Sequence, residues 1–258
     1  MRPTALELPA RTHKPRETGL TMVIDGGLPT GNFQDVVESG AEFIDFVKFG
    51  WGTALVTTDL QRKIDVLAEV GVNFYFGGTL FEKFVLQDRF EEFRSLCKRY
   101  SCSHVEVSNG TIALSNTEKS AYIGKLCGDF QVISEVGFKD SERSERLAPS
   151  RWIECVQEDL DAGACLVTLE SRESGRSGIC RPNGELRFGL IEDLLDSDLD
   201  TRSLLFEAPS TELQTYFVKR IGPNVNLGNI PSTAVLGLET IRLGLRADTL
   251  SCFEAVES

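Results

Sequence analysis

The stretch SRWIECVQEDLDAGACLVTLE, residues 150–170, decides the fold. Ser150 is a suitable N-cap, the residues up to Ala162 have helical period, Gly163 closes the helix, and the apolar run from Cys165 stops on Glu170. A helix that passes directly into a short apolar strand is half of a βαβ unit. The pattern recurs along the chain, with strands expected near 20–24, 43–48, 72–76, 104–107, 131–136, 165–170, 203–207 and 224–227. Helices are expected near 33–39, 59–69, 87–98, 116–126, 150–162, 188–195, 210–219 and 233–242. Such regular alternation predicts an α/β protein, a single (β/α)8 TIM barrel over residues 19–258. Residues 1–18 are polar and carry Pro3, Pro9 and Pro15, which predicts a flexible arm or a strap over the barrel bottom.

Composition agrees with that class. The 258 residues are 41% hydrophobic and 26% charged, enough for one large core. A net charge of -12 argues against nucleic acid as a partner, because phosphate backbones are bound by clustered cations. The sequence has neither a membrane-spanning run nor an apolar signal core, so no membrane partner and a cytoplasmic location are expected. The seven cysteines form no C-x-x-C pair, which points to neither zinc nor a disulfide framework. With only His13 and His104, a histidine-rich metal site or a Ser-His-Asp triad is excluded.

Six apolar runs end on a charged or amide residue: Lys48, Glu106, Glu135, Glu170, Glu207 and Asn226. Polar groups ending successive strands meet only if the strands close into a ring. Four carboxylates without histidine suit a hard, oxygen-seeking cation such as Mg²⁺, since their mutual repulsion needs compensation. The plainer reading of each is a helix cap or an ordinary ion pair. Lys48 and Lys139 also fall at strand ends, where a lysine can transfer protons, form a Schiff base or neutralise the glutamates. The long segment from Ser171 to Gly189 follows the sixth expected strand. In it Arg172 and Arg176 resemble an anion clamp on a mobile loop, although a solvated loop would look similar. Asn226, Gly228 and Asn229, in VNLGNIPS, are expected to follow strand eight and to offer a phosphate-binding loop or an ordinary turn.

KFGWGT (48–53), GGT (77–79), VEVSNGT (105–111), EVGFK (135–139), WIECVQEDLDAGACLVTLESRESG (152–175), EAP (207–209) and VNLGNI (225–230) together resemble the phosphosulfolactate synthase family, over about Asp25 to Asp248. The resemblance implies a barrel that adds sulfite to phosphoenolpyruvate, with Mg²⁺, to give (2R)-phospho-3-sulfolactate on the way to coenzyme M. It also implies roles: Glu135 and Glu170, with Glu106 or Glu207, for Mg²⁺; Lys139 as proton donor, its pKa lowered by Mg²⁺ and arginine; Lys48 holding carboxylate or sulfite; and Arg172, Arg176 and the backbone near Gly228 and Asn229 holding phosphate or sulfonate. The small anionic substrates are the expected partners, with assembly into a homo-oligomer through exposed helices. Plant relatives linked to heat stress leave a non-catalytic barrel as an alternative. A barrel lyase or aldolase with another nucleophile or a Schiff-base lysine is another.

Overall fold

The computed structural model describes residues 5–171 and 174–253. Among them run eight parallel strands, β1 (Thr21–Asp25), β2 (Phe46–Phe49), β3 (Asn73–Phe76), β4 (His104–Val107), β5 (Gln131–Val136), β6 (Ala164–Leu169), β7 (Leu204–Glu207) and β8 (Leu227–Pro231). The intervening helices are α1 (Thr30–Gly40), α2 (Leu60–Glu69), α3 (Gly78–Val85), α4 (Phe90–Arg99), α5 (Asn116–Leu126), α6 (Ser141–Arg146), α7 (Pro149–Asp161), α8 (Phe188–Leu195), α9 (Thr211–Ile221) and α10 (Val235–Arg242). The ladder runs β3-β2-β1-β8-β7-β6-β5-β4. At the remaining seam, between β3 and β4, Ser103 Oγ donates to Asn73 Oδ1 at 3.2 Å and Gly78 N donates to the Glu106 carboxylate. The barrel is therefore nearly closed, as the alternation of elements predicts.

Side chains at alternate positions point into the barrel. Leu20, Met22, Phe46, Tyr75, Ile133, Leu166 and Leu205 fill its lower half with an apolar plug. The larger core lies between strands and helices, where Trp152, Phe33, Phe81 and Phe217 are fully or almost fully buried. The α5 cap matches expectation: Ser115 and Glu118 form a reciprocal capping box. The N-terminal arm is a strap, because Arg11 pairs with Glu239 at 2.9 Å and donates to Pro223 O at 2.8 Å, while Arg16 pairs with Asp45 at 3.0 Å. Among the described residues no helix is long and apolar enough to cross a membrane.

Two differences from expectation matter for the site. The segment GGTLFEKF (77–84), outside every expected helix, becomes α3, because its glycines stand only at the N-terminal boundary and Leu80 and Phe81 bury against the core. The last strand lies later than expected, at Leu227–Pro231. Its entry is set by Asn226, whose Oδ1 accepts from Leu20 N at 3.0 Å and whose Nδ2 donates to Arg202 O at 2.9 Å and Leu204 O at 3.1 Å. Asn226 thus ties strand beginnings together at the bottom of the barrel, away from the strand ends. Gly228 is likewise inside β8: a Cβ there would lie 2.9 Å from Met22 Cε and 3.0 Å from Leu205 Cδ2, which is a packing constraint on the strand.

Candidate active site

At the C-terminal ends of the strands, Lys48 of β2 projects into the middle of the ring. Its Nζ is 3.0 Å from Glu106 Oε1, 3.5 Å from Glu135 Oε2 and 3.5 Å from Glu207 Oε1. All four side chains are buried. Burial works against the ammonium, but the carboxylates of Glu106, Glu207 and Glu135 outweigh it and raise the Lys48 pKa well above the ordinary lysine value. Lys48 is therefore the fixed cation of the ring.

Glu135, Glu170 and Glu207 each offer a carboxylate oxygen, and these oxygens lie within 4.8 Å of one another. Glu106 is outside that grouping: its Oε1 faces Lys48 and its Oε2 accepts from Gly78 N at the start of α3. Crowding polarises the set. Burial pushes Glu135 up, but Lys139, Lys48 and a hydrogen bond from Glu170 bring it down to about 2. Glu170 goes the other way, raised well above the usual range by burial and then by the charges of Glu135 and Glu207. Burial also raises Glu207, with Lys48 opposing, and takes Glu106 up to about 7. Carboxylates crowded in this way repel one another, and their all-oxygen donor set is the one that hard divalent ions take. Beside it, Asn229 Oδ1 is buried without a hydrogen-bond partner. The residues present thus fit a Mg²⁺-type ion.

Lys139 reaches the ring from the loop after β5. Its Nζ donates to Thr79 Oγ1 at 2.9 Å and lies 3.8 Å from Glu135 Oε1. Burial lowers its pKa, but among the described residues the carboxylates of Glu135 and Glu170 outweigh burial and raise it.

A supporting shell fixes these side chains. Lys119 donates to Glu135 O at 2.9 Å and pairs with Asp159 at 2.6 Å, both ends buried, which anchors the end of β5. Glu82 of α3 accepts from Ser108 Oγ at 2.5 Å, Gly110 N at 3.2 Å, Thr111 N at 2.8 Å and Ile112 N at 2.9 Å, and so holds the loop after β4 against α3. Glu207 Oε2 accepts from Ser171 N at 2.9 Å.

Sequence reasoning missed three contributors. Tyr75, the ladder neighbour of Lys48, is fully buried with a hydroxyl that has no hydrogen-bond partner. Thr79 and Glu82 belong to α3, which lies outside the expected helices. Tyr75 shares the inward parity of Asn73, so alternation along β3 was the available signal; Thr79 ends the GGT motif at 77–79, and Glu82 gave none.

The described residues of the segment after β6 are tied down by local contacts. Cys180 and Leu186 form an antiparallel bridge, and Arg187 pins the segment by donating to Ser144 O at 2.8 Å, Gly178 O at 3.2 Å and Leu147 O at 3.2 Å. Gly178 is obligatory, since a Cβ there would sit 1.7 Å from Glu170 O. Arg176 is exposed and lines a cavity of about 520 Å³ with Ser174, Ser210 and Tyr216, beside the first turn of α9. The cavity contains none of the ring residues, although its walls continue the chain from Glu170 and Glu207. Arg172 lies outside the described residues.

Comparison with known proteins agrees with this geometry. The profile of the ComA family, (2R)-phospho-3-sulfolactate synthase, matches residues 9–248. The phosphosulfolactate synthase of Bacillus subtilis (strain 168) is 50% identical over 245 residues, spanning 95% of this chain and 97% of that protein. That of Methanothermobacter thermautotrophicus is 41% identical over 246 residues, spanning 94% and 95%. Among solved structures, the YdjI aldolase of Escherichia coli K12 superposes with a TM-score of 0.55 at 13% identity, covering 92% of this chain and 89% of that one, a likeness of fold alone. The chain belongs to the (2R)-phospho-3-sulfolactate synthase family, carbon–sulfur lyases that add sulfite to phosphoenolpyruvate.

Proposed function

We propose that this protein adds sulfite to phosphoenolpyruvate at the carboxylate ring, assisted by Mg²⁺ and with Lys139 as the proton donor, to give (2R)-phospho-3-sulfolactate. The observation that carries the reading is the pairing of a buried three-carboxylate oxygen cluster with two ammonium groups, Lys48 and Lys139, held in the charged form. Glu135, Glu170 and Glu207 would hold the ion. When bound, Mg²⁺ supplies stabilisation for negative charge building on the substrate carboxylate.

In the reaction a sulfur lone pair of sulfite forms the C–S bond at C3, and the C2–C3 π pair moves toward the carboxylate. C2 then takes a proton from Lys139 Nζ, and the phosphate ester stays intact. A raised pKa does not disqualify the donor, because the carbanionic C2 is a far stronger base than an amine. Thr79 Oγ1 and Glu135 aim the ammonium. Lys48 balances the ring charge and presents the remaining positive field to the substrate carboxylate. Arg176, at the cavity beside the first turn of α9, would take the phosphate, where free N–H groups favour anions.

The experiment that tests the reading is chelation. Enzyme stripped with EDTA is expected to lose turnover, and added Mg²⁺ to restore it; full activity after stripping would remove the metal from the account. For the clamp, Arg176→Ala is expected to raise the KM for phosphoenolpyruvate by about thirtyfold, the equivalent of about 2 kcal/mol for a guanidinium closing on a desolvated anion. A change under about fivefold in both KM values would match an exposed arginine of no consequence, worth under about 1 kcal/mol.

A further inference from the structure

β8 carries an irregularity that the reaction scheme above does not use. Thr21 pairs with Leu227, but Val23 pairs with Ile230, so β8 has one residue more than β1 over this interval. The extra residue is a β-bulge, a device that redirects side chains and is common beside active sites. Asn229 sits in it with φ 51, the left-handed region that asparagine tolerates better than other non-glycine residues. Its backbone N–H donates to Met22 Sδ at 3.4 Å. The side chain is 6% exposed, and its Nδ2 donates to Glu207 Oε1. Glu207 already accepts at both oxygens, from Lys48 Nζ at Oε1 (3.5 Å) and from Ser171 N at Oε2 (2.9 Å), so it faces the amide as an acceptor: the nitrogen turns to Glu207, and the carbonyl oxygen takes the other position. That oxygen is buried and has no partner. A buried carbonyl so placed is normally satisfied by a donor or a cation.

We infer that Asn229 Oδ1 is a neutral oxygen ligand of the same divalent cation as Glu135, Glu170 and Glu207, an inference that rests on the metal reading proposed above. The chemistry is consistent: amide carbonyls are ordinary ligands for hard cations, and a neutral fourth donor adds no charge to a site already holding three carboxylates. The bulge turns the amide so that one group serves two ends, with the nitrogen orienting Glu207 and the oxygen meeting the ion.

The test measures Mn²⁺ binding to the full-length apo protein by electron paramagnetic resonance, without substrate, for wild type, Asn229→Gly and Asn229→Asp. Glycine accepts the left-handed backbone but removes both functions; aspartate keeps an oxygen and loses the donor to Glu207. The expected result is a loss of affinity of about tenfold or more for Asn229→Gly, with Asn229→Asp within about threefold of wild type or tighter. Equal loss in both variants would mean that only the N–H to Glu207 matters and would overturn the inference, as would unchanged affinity in Asn229→Gly. Unfolding midpoints of the apo proteins separate misfolding from ligand loss. Wild type that binds no Mn²⁺ would overturn the metal reading itself and this inference with it, whereas binding in wild type with unchanged Asn229→Gly would overturn the inference alone.

Discussion

Lys139→Ala is expected to lower kcat by about 10²- to 10⁴-fold, the usual worth of a positioned general acid, with phosphoenolpyruvate still binding. The argument is positional. Lys139 is the ammonium at the open side of the ring, partly exposed where Lys48 is buried against three carboxylates. It reaches the site from the loop after β5, past Gly137, whose φ of 124 and close packing on Trp152 admit no side chain. Its loss leaves that loop held by the Lys139 N to Gly110 O bond at 3.2 Å, which any residue retains, so the effect falls on the proton transfer. Lys48→Ala should behave differently. It strands buried Glu106, Glu135 and Glu207 without their common cation, and weakened binding and a lower unfolding midpoint are expected together. A Lys139→Ala enzyme with near-normal kcat, beside a folded but inactive Lys48→Ala enzyme, would exchange the two roles.

Glu135→Gln or Glu170→Gln is expected to cut Mg²⁺-dependent turnover at least about tenfold, roughly 1.4 kcal/mol of transition-state stabilisation. The two should not be equal. Glu135 touches both ammonium groups, at 3.5 Å from Lys48 and 3.8 Å from Lys139, so its neutralisation would remove a proposed metal ligand and the first carboxylate partner of the proposed proton donor. Glu170 sits beyond the end of β6, hydrogen-bonded to Glu135 and with its pKa raised by burial, and its replacement by an amide keeps a donor toward Glu135. Glu135→Gln should therefore be the more damaging, with a larger fall in kcat and a weaker response to added Mg²⁺. Full activity in both variants, with an unchanged Mg²⁺ requirement, would remove them from the metal site.

The fold was legible in the sequence wherever an apolar run was punctuated by a residue with one structural meaning. Gly163, at φ 108 after α7, marks the helix end, and Glu170 marks the strand end, which is why the 150–170 unit sets the frame for the rest. The ring carboxylates were legible for the same reason: a glutamate ending a buried strand has few other places to be. β8 was displaced because glycine and asparagine read as a turn, while the bulge that accommodates them depends on β1 across the ladder. That non-local cause also moved Asn226 to the barrel bottom. Glu82 was hidden because its value lies in three backbone N–H groups of another loop, and Tyr75 because an aromatic at a strand position is ordinarily core.

The most direct test of the central claim, that this carboxylate and lysine ring forms a carbon–sulfur bond, is product analysis by mass. Purified protein is incubated with Mg²⁺, phosphoenolpyruvate and ³⁴S-labelled sulfite, and the products are separated and weighed. The account predicts one product whose mass is that of phosphoenolpyruvate plus sulfurous acid, carrying the label and retaining its phosphate, and formed at least about a hundredfold more slowly with Lys139→Ala. Label never entering an organic product, or phosphate released as phosphoenolpyruvate is consumed, would contradict it.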